Sequence, residues 1–366
     1  MLAAVSSALV LATSLVGGVP STTHDLARSV LPAKPAASKL TSRELAVQRI
    51  VTGFEGTSPP DDLKRAIRRG EVAGVVLFAS NASTASGARA LTKRLQSIPQ
   101  PKGLRSPLLV MTDQEGGLVK RIAGPPNASA EEMGARGNSY TQRQGKKTGK
   151  LLRSSGINID LAPVLDVGRP GGAIASEHRS FGSSAKRVAE RSTAFAKGLR
   201  GRGVIPTAKH FPGLGAVAVN TDNAAQTIAL KRSKLRRIDE RPYERFRRIG
   251  RGMVMLSLAK YRAYDDNLAA LSHRIATSEL RRRIGFRGVS ISDSLEAAAA
   301  QAIGGTNKVS RKAASAGTDL LLYPSLSEAD QAGNTLARLV RKGKLSKKRF
   351  KHSVDRVLDL RRSFGK

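Results

Sequence analysis

Beyond residue 40 the chain alternates short apolar runs with longer amphipathic stretches rich in Lys and Arg. The runs occupy residues 50–54, 74–78, 107–112, 157–165, 204–208, 253–259, 288–292 and 319–323, and most are closely followed by Gly, Pro, Asn or Asp. They are rich in Val, Ile and Leu with few polar interruptions, the pattern of strands covered on both faces in a parallel sheet. Segments of helical period lie between them, among them 185–200, 231–248 and 274–284. Eight strand and helix units in series predict an α/β fold, a single (β/α)8 TIM-like barrel over residues 41–366. A doubly wound nucleotide-binding sheet would call for GxGxxG after the first strand, or for GxxxxGK[ST]. Neither pattern occurs, and Gly116-Gly117, Gly213-x-Gly215 and Gly304-Gly305 read as turn glycines.

The first 19 residues break the pattern: they are apolar and uncharged, with interspersed Ser, Thr and Gly. This stretch is short and polar for a membrane span and reads as a secretory signal without the usual basic start, with an uncleaved anchor as the alternative. Residues 20–40, with Pro32, Pro35 and several Ala and Ser, read as a linker. The chain is thus expected to be secreted or associated with the cell envelope.

Composition narrows the chemistry. The 366 residues contain no cysteine, which excludes disulfide scaffolds, thiolate nucleophiles and Cys-ligated metals. Five scattered histidines without an HExxH pair argue against a histidine-built metal site. Lys and Arg number 63 against 28 Asp and Glu, a net charge of +35. Such a surface favours electrostatic association with anionic cell-wall polymers or a membrane surface. The charge is dispersed along the chain, aromatics are 4% and Trp is absent, so specific nucleic-acid binding is disfavoured. Oligomeric state is not legible.

In a parallel barrel, chemistry sits where strands end and their loops begin. The third run ends in Asp113-Gln114-Glu115-Gly116-Gly117, with Arg121 following. The fourth ends in Asp166, with Arg179 in the next loop; the fifth ends in Lys209-His210-Phe211-Pro212-Gly213, and the seventh in Ser292-Asp293-Ser294. Ionisable groups directly after apolar strands are costly unless they face an open cleft or pair with one another, so a polar pocket for a polyhydroxylated ligand is expected. Asp166 and Ser294 fit equally well as helix caps or structural partners.

These stretches resemble family 3 glycoside hydrolases, specifically the compact single-domain β-N-acetylhexosaminidases. The likeness runs from about Thr41 to the C-terminus and rests on Gly53-Phe54-Glu55-Gly56, Thr112 to Gly117, Asp160-Leu161-Ala162-Pro163-Val164-Leu165-Asp166, Arg179-Ser180-Phe181-Gly182, Lys209 to Gly213, and Ser292-Asp293. It implies a retaining glycosidase acting on N-acetylglucosamine-containing glycans such as cell-wall fragments, with a covalent glycosyl-enzyme intermediate and no metal or organic cofactor. Asp293 matches the family nucleophile. Asp113, Arg121, Arg179, Lys209 and His210 match the residues that hold the sugar.

The likeness fails at one loop. Compact members carry a general acid/base histidine after Lys-His-Phe-Pro-Gly, with an aspartate two residues before it. Here Asn220 takes the aspartate position and Asp222 the histidine position, while Leu214 and Leu258 replace two further histidines. An aspartic acid can donate a proton near neutral pH if burial or a neighbouring carboxylate raises its pKa, so Asp222 beside Asp293 is the leading candidate for the acid/base. Four alternatives stay open: Asp166 or Glu115 protonates the leaving group; Asp222 is only an Asx-type cap; the barrel binds glycans without turnover; or the altered pocket has a β-glucosidase-type specificity.

Overall fold

The structure is a computed structural model that describes Ala37 and residues 40–364. The expected signal-like segment and all of the linker except Ala37 and Leu40 lie outside the described residues. Eight parallel strands close into a barrel: β1 (Ile50–Thr52), β2 (Gly74–Val76), β3 (Leu109–Thr112), β4 (Ile159–Asp160), β5 (Ile205–Phe211), β6 (Met253–Leu256), β7 (Val289–Ser294) and β8 (Leu320–Tyr323). Each falls within or overlaps one of the eight apolar runs. Every strand pairs with its sequence neighbour, and β8 returns to β1 through Ile50 opposite Leu321.

The strand ends differ from the apolar runs in an informative way. The run at 157–165 yields a regular ladder only over Ile159–Asp160; beyond it Leu161 and Leu165 donate to the Thr112 and Lys209 carbonyls at 2.8 and 2.6 Å, and Val164 forms an isolated bridge with Lys209. By contrast, β5 runs on through Lys209-His210-Phe211 and β7 through Asp293-Ser294. Both extensions follow a register shift, after which Phe211 pairs with Leu256 and Ser294 with Leu322. Such irregularities turn side chains at a barrel rim, and here they occur at the two strands that carry the most chemistry.

The helix Ala185–Arg200 has the bounds its periodicity predicts. The stretch 231–248 is broken into short turns, because Pro242 begins a new helix and the Glu240 N–H reaches back to the Leu235 carbonyl five residues earlier, at 2.9 Å. The stretch 274–284 winds in the same wide manner, with the Ile284 N–H on the Glu279 carbonyl at 2.8 Å. In both places buried charged side chains sit beside the buried apolar face formed by Leu235 and Phe246 and by Ile275 and Leu280. Arg283 ties Glu240 of one segment to Glu279 of the other.

The barrel interior is a dry core. Leu109 and Met111 of β3, Met253 and Met255 of β6, and Leu320 and Leu322 of β8 alternate inward, while Val110, Val254 and Leu321 between them face the helices. The period of two is hidden in the sequence because both faces are apolar. Helix Lys347–Arg362 covers the floor with Val357 and Leu360. Arg281 and Arg356 close around Asp319 there, and Arg49 donates to its carbonyl. No described helix is long and apolar enough to cross a membrane.

Candidate active site

The inward positions of a strand recur every second residue, and this rule assembles the site. On β3 they read Leu109, Met111, Asp113; on β5, Ile205, Thr207, Lys209; on β7, Val289, Ile291, Asp293. Three odd-numbered strands therefore each end their buried interior row, apolar except for Thr207, with one charged residue. The even-numbered strands end theirs with Val76, Leu161, Met255 and Leu322, which form an apolar floor beneath those charges. Layers built from alternate strands are the packing rule of such barrels. The resulting cavity, of about 240 Å3, opens at the C-terminal end of the strands. A larger hollow of about 620 Å3 lies between helices Ser42–Val47 and Leu326–Arg341, but it holds no buried, convergent charges.

The cavity holds all seven residues singled out from the sequence: Asp113, Arg121, Arg179, Lys209, His210, Asp222 and Asp293. The Lys209 ammonium lies 2.6 Å from Asp113 Oδ1 and 2.7 Å from Glu115 Oε1. Arg179 grips Glu115 with two parallel bonds of 2.9 Å and reaches Glu177 with Nη1, also at 2.9 Å. Burial by itself would discharge Lys209, but Asp113 and Glu115 outweigh it and keep the group protonated. The opposite balance holds Glu115 ionised: burial pushes its pKa up, and Arg179 and Lys209 carry it far below the usual range. Glu115 is thus a fixed counter-ion and cannot serve as a proton donor. Arg121 approaches Asp113 Oδ2 only to 3.9 Å, so that oxygen remains able to accept a ligand hydroxyl.

His210 is oriented from behind. Its Nδ1 donates to Asp166 Oδ2 at 2.7 Å, which turns Nε2 toward Asp293 Oδ2 at 4.0 Å. Asp166 is fully buried and also accepts the N–H groups of His210 and Leu214 at 3.1 and 2.6 Å. These bonds hold its carboxylate behind His210 and the start of the following loop, and it does not itself line the cavity. Asp293 Oδ1 accepts the Ser294 N–H at 2.8 Å, which orients the nucleophile candidate and gives Ser294 its role.

The loop carrying Asp222 lies over the cavity. The N–H groups of Ala298 and Ala299, just beyond β7, bind the carbonyls of Asp222 and Thr221 at 3.2 and 3.3 Å. The cap in this loop is Asn220, whose Oδ1 accepts the Asp222 N–H at 3.0 Å; the Asp222 carboxylate caps nothing. Although Asp222 is exposed, its carboxyl borders the cavity, and loss of surrounding water first, then the charge of Asp293, raises its pKa. Leu214 lines the cavity, whereas Leu258 is buried and does not.

Asp160 was visible in the sequence only as part of a motif. It is fully buried, accepts the Gln114 N–H at 3.0 Å, and is raised well above an ordinary carboxyl by burial. It sits under the chain segment joining Asp113 to Glu115, where burial favours its neutral form. Its outward parity on β4 concealed this place, because only the inward set points to a barrel pocket.

The assembled groups comprise an oriented carboxylate, a second carboxyl biased toward its neutral form, and fixed donors and acceptors for hydroxyls. That equipment suits chemistry at a glycosidic bond. The family described as "Glycosyl hydrolase family 3 N terminal domain" matches residues 40–360. An "uncharacterized secreted glycosyl hydrolase" of Arthroderma benhamiae is 34% identical over 85% of this chain and 91% of its own length. The β-N-acetylhexosaminidase of Beutenbergia cavernae superposes with a TM-score of 0.78 at 32% identity, over 88% of this chain and 98% of that one. A family 3 β-N-acetylglucosaminidase from Paenibacillus gives a TM-score of 0.83 at 30% identity over 89% of this chain, which spans 64% of that longer protein. Family match, relatives and site agree: the chain belongs to glycosyl hydrolase family 3 and is β-hexosaminidase-like.

Proposed function

We propose that the protein is a retaining β-N-acetylhexosaminidase that releases N-acetylglucosamine-type residues from glycans such as cell-wall fragments. The observation that carries this reading is the pairing, over one cavity, of an oriented Asp293 with an Asp222 whose pKa that same carboxylate helps to raise. Asp293 attacks the anomeric carbon while Asp222 gives its proton to the departing glycosidic oxygen. The glycosyl-enzyme ester is then hydrolysed by a water whose proton returns to Asp222. Asp113 Oδ2 accepts a sugar hydroxyl, and Lys209, with two of its three N–H groups on Asp113 and Glu115, donates the third. Arg121, Arg179 and His210 line the same cavity and complete the grip on the ring. These contacts bring the anomeric carbon to the nucleophile.

The apolar, uncharged residues 1–19 support export, with 20–40 as a linker to the barrel, and the net charge of +35 supports association with anionic wall polymers or membrane surfaces. The catalytic reading is tested on an aryl N-acetyl-β-glucosaminide, comparing the wild type with Asp293→Ala and Asp222→Ala across pH. Turnover lost in Asp293→Ala, and lost in Asp222→Ala mainly on poor leaving groups, is the expected outcome. A wild type that binds N-acetylglucosamine but turns over no aryl glycoside would replace this reading with a glycan-binding barrel. Preference for aryl glucosides would reassign the sugar.

A further inference from the structure

The net charge is not evenly compensated around the barrel. Helices Ala85–Ser97 and Gly137–Ser154 contain no acidic residue, and Ala185–Arg200 contains only Glu190. The three are neighbours on the barrel wall. Gly145 lies against the Phe195 carbonyl, where a Cβ would come within 2.2 Å, and Thr92 Oγ1 donates to the Ser155 carbonyl at 2.8 Å. On the central helix Arg143, Lys146, Lys147, Lys150 and Arg153 are all exposed. Among the described residues, the only cation of these three helices in an ion pair is Arg191, 3.6 Å from Glu190.

The spacing on the central helix works against the fold. Positions 143, 146, 147, 150 and 153 are joined by repeated i,i+3 and i,i+4 steps, and like charges at those steps destabilise a helix. Compensation of the helix dipole accounts for Arg153 in the last turn but not for the cations before it. Where this helix meets its neighbour, Arg89 and Lys93 face Arg153 across a groove of about 470 Å3 with Thr92, Gln96 and Ser154 between them. The groove is at the C-terminal ends of the helices, the barrel end opposite the catalytic mouth.

We propose that this wall is a docking surface for a flexible, non-aromatic polyphosphodiester, which runs along the cationic helix and into the groove while the active site stays open. This gives the electrostatic association proposed above one location, and it stands apart from the catalytic reading. A planar membrane fits less well, since a convex barrel wall offers it one helix at a time, and among the described residues the large apolar side chains that stand exposed, Leu118 and Val219, are on other loops. Nucleic acid fits less well because among the described residues the aromatic this wall offers its bases is Tyr140, which is half-buried against the core and already lies under Arg136.

The test measures retention of the full chain on immobilised poly(glycerol phosphate) over a salt series. The wild type is compared with Lys146→Glu/Lys147→Glu/Lys150→Glu and with a control of equal charge change, Lys344→Glu/Lys347→Glu/Lys348→Glu, at exposed positions elsewhere. Five contacts predict a log–log salt slope of about −3.5. The wall variant should lose about tenfold or more in affinity and the control far less, with turnover of a soluble aryl glycoside unchanged in both. Without polymer, the wall variant should unfold at a higher temperature than the wild type, because the steps from Arg143 to positions 146 and 147 and from position 150 to Arg153 turn from repulsive to attractive. Equal loss in both variants would reduce the effect to net charge and overturn the proposal. So would a lowered unfolding temperature, which would assign the lysines to the fold. Tighter binding to single-stranded DNA or to phosphatidylserine vesicles than to the polymer would replace it with the corresponding partner.

Discussion

A carboxylate enclosed between cations and one enclosed beside another carboxylate have opposite fates, and the cavity holds both kinds. Glu115 lies between Arg179 and Lys209 and stays ionised. Replacing it with Gln removes the shared anion and leaves two buried cations short of a partner. Glu115→Gln should therefore cost about 3–5 kcal/mol in chemical denaturation, a structural loss on top of any loss of activity. Asp222 is the second kind. It must be protonated to donate, and its raised pKa moves the alkaline limb of kcat/KM above the position an ordinary aspartate would give. Asp222→Asn should abolish that limb and cut turnover of poor leaving groups by about 10²–10⁴-fold, with little effect on good ones. The residue types of the site were legible because charged side chains directly after apolar strands are conspicuous. The division of labour among them was not. The ties of Glu115 to Arg179 and of Asp166 to His210 span 64 and 44 residues of chain and became visible only in the folded barrel.

At the scale of elements, the eight strands were readable because each lies in a run dominated by Val, Ile and Leu, while the wide winding of 231–248 and 274–284 was not, because their apolar stripe does not reveal that Glu240 and Glu279 meet at Arg283. The turn from β5 into the catalytic loop shows what periodicity cannot display. Gly213 has φ of 130° with Asp239 2.6 Å from where its Cβ would lie, and a Cβ on Gly215 would come within 2.0 Å of the Val167 carbonyl. The loop bearing Asp222 thus starts in contact with the loop after β4 and with the helical segment Leu235–Asp239. Gly215→Ala should force these segments apart at a cost of about 1–3 kcal/mol. Activity should fall more steeply than stability, which kinetics and thermal unfolding on the same preparation would separate. A conserved shape of the far-UV circular dichroism spectrum would show that the barrel itself survives.

For the whole molecule, buried acids of two classes predict a stability maximum in mildly acidic solution. Arg281 and Arg356 overcome burial to bring Asp319 down to about 2, so its contribution is present above about pH 4 and is lost as pH falls toward 2. Burial raises Asp239 to about 6 and Glu240 to about 7, despite their pairing with Arg169 and Arg283. These two bind protons more tightly folded than unfolded, so their contribution is full below about pH 4 and is lost as pH rises through 6 to 7. Urea titrations from pH 3 to pH 8 should therefore peak near about pH 5; a plateau extending to pH 8 would refute the assignment of Asp239 and Glu240. The order of apolar runs and the polar residues that close them determined the barrel and the address of its active site, since a parallel strand must be apolar on both faces and its C-terminal end is where such a barrel can be polar. Which carboxyl keeps its proton was decided only in three dimensions. A pKa depends on the charges and water within a few ångströms, and Asp222 meets Asp293, as Lys209 meets Asp113, only when the barrel closes.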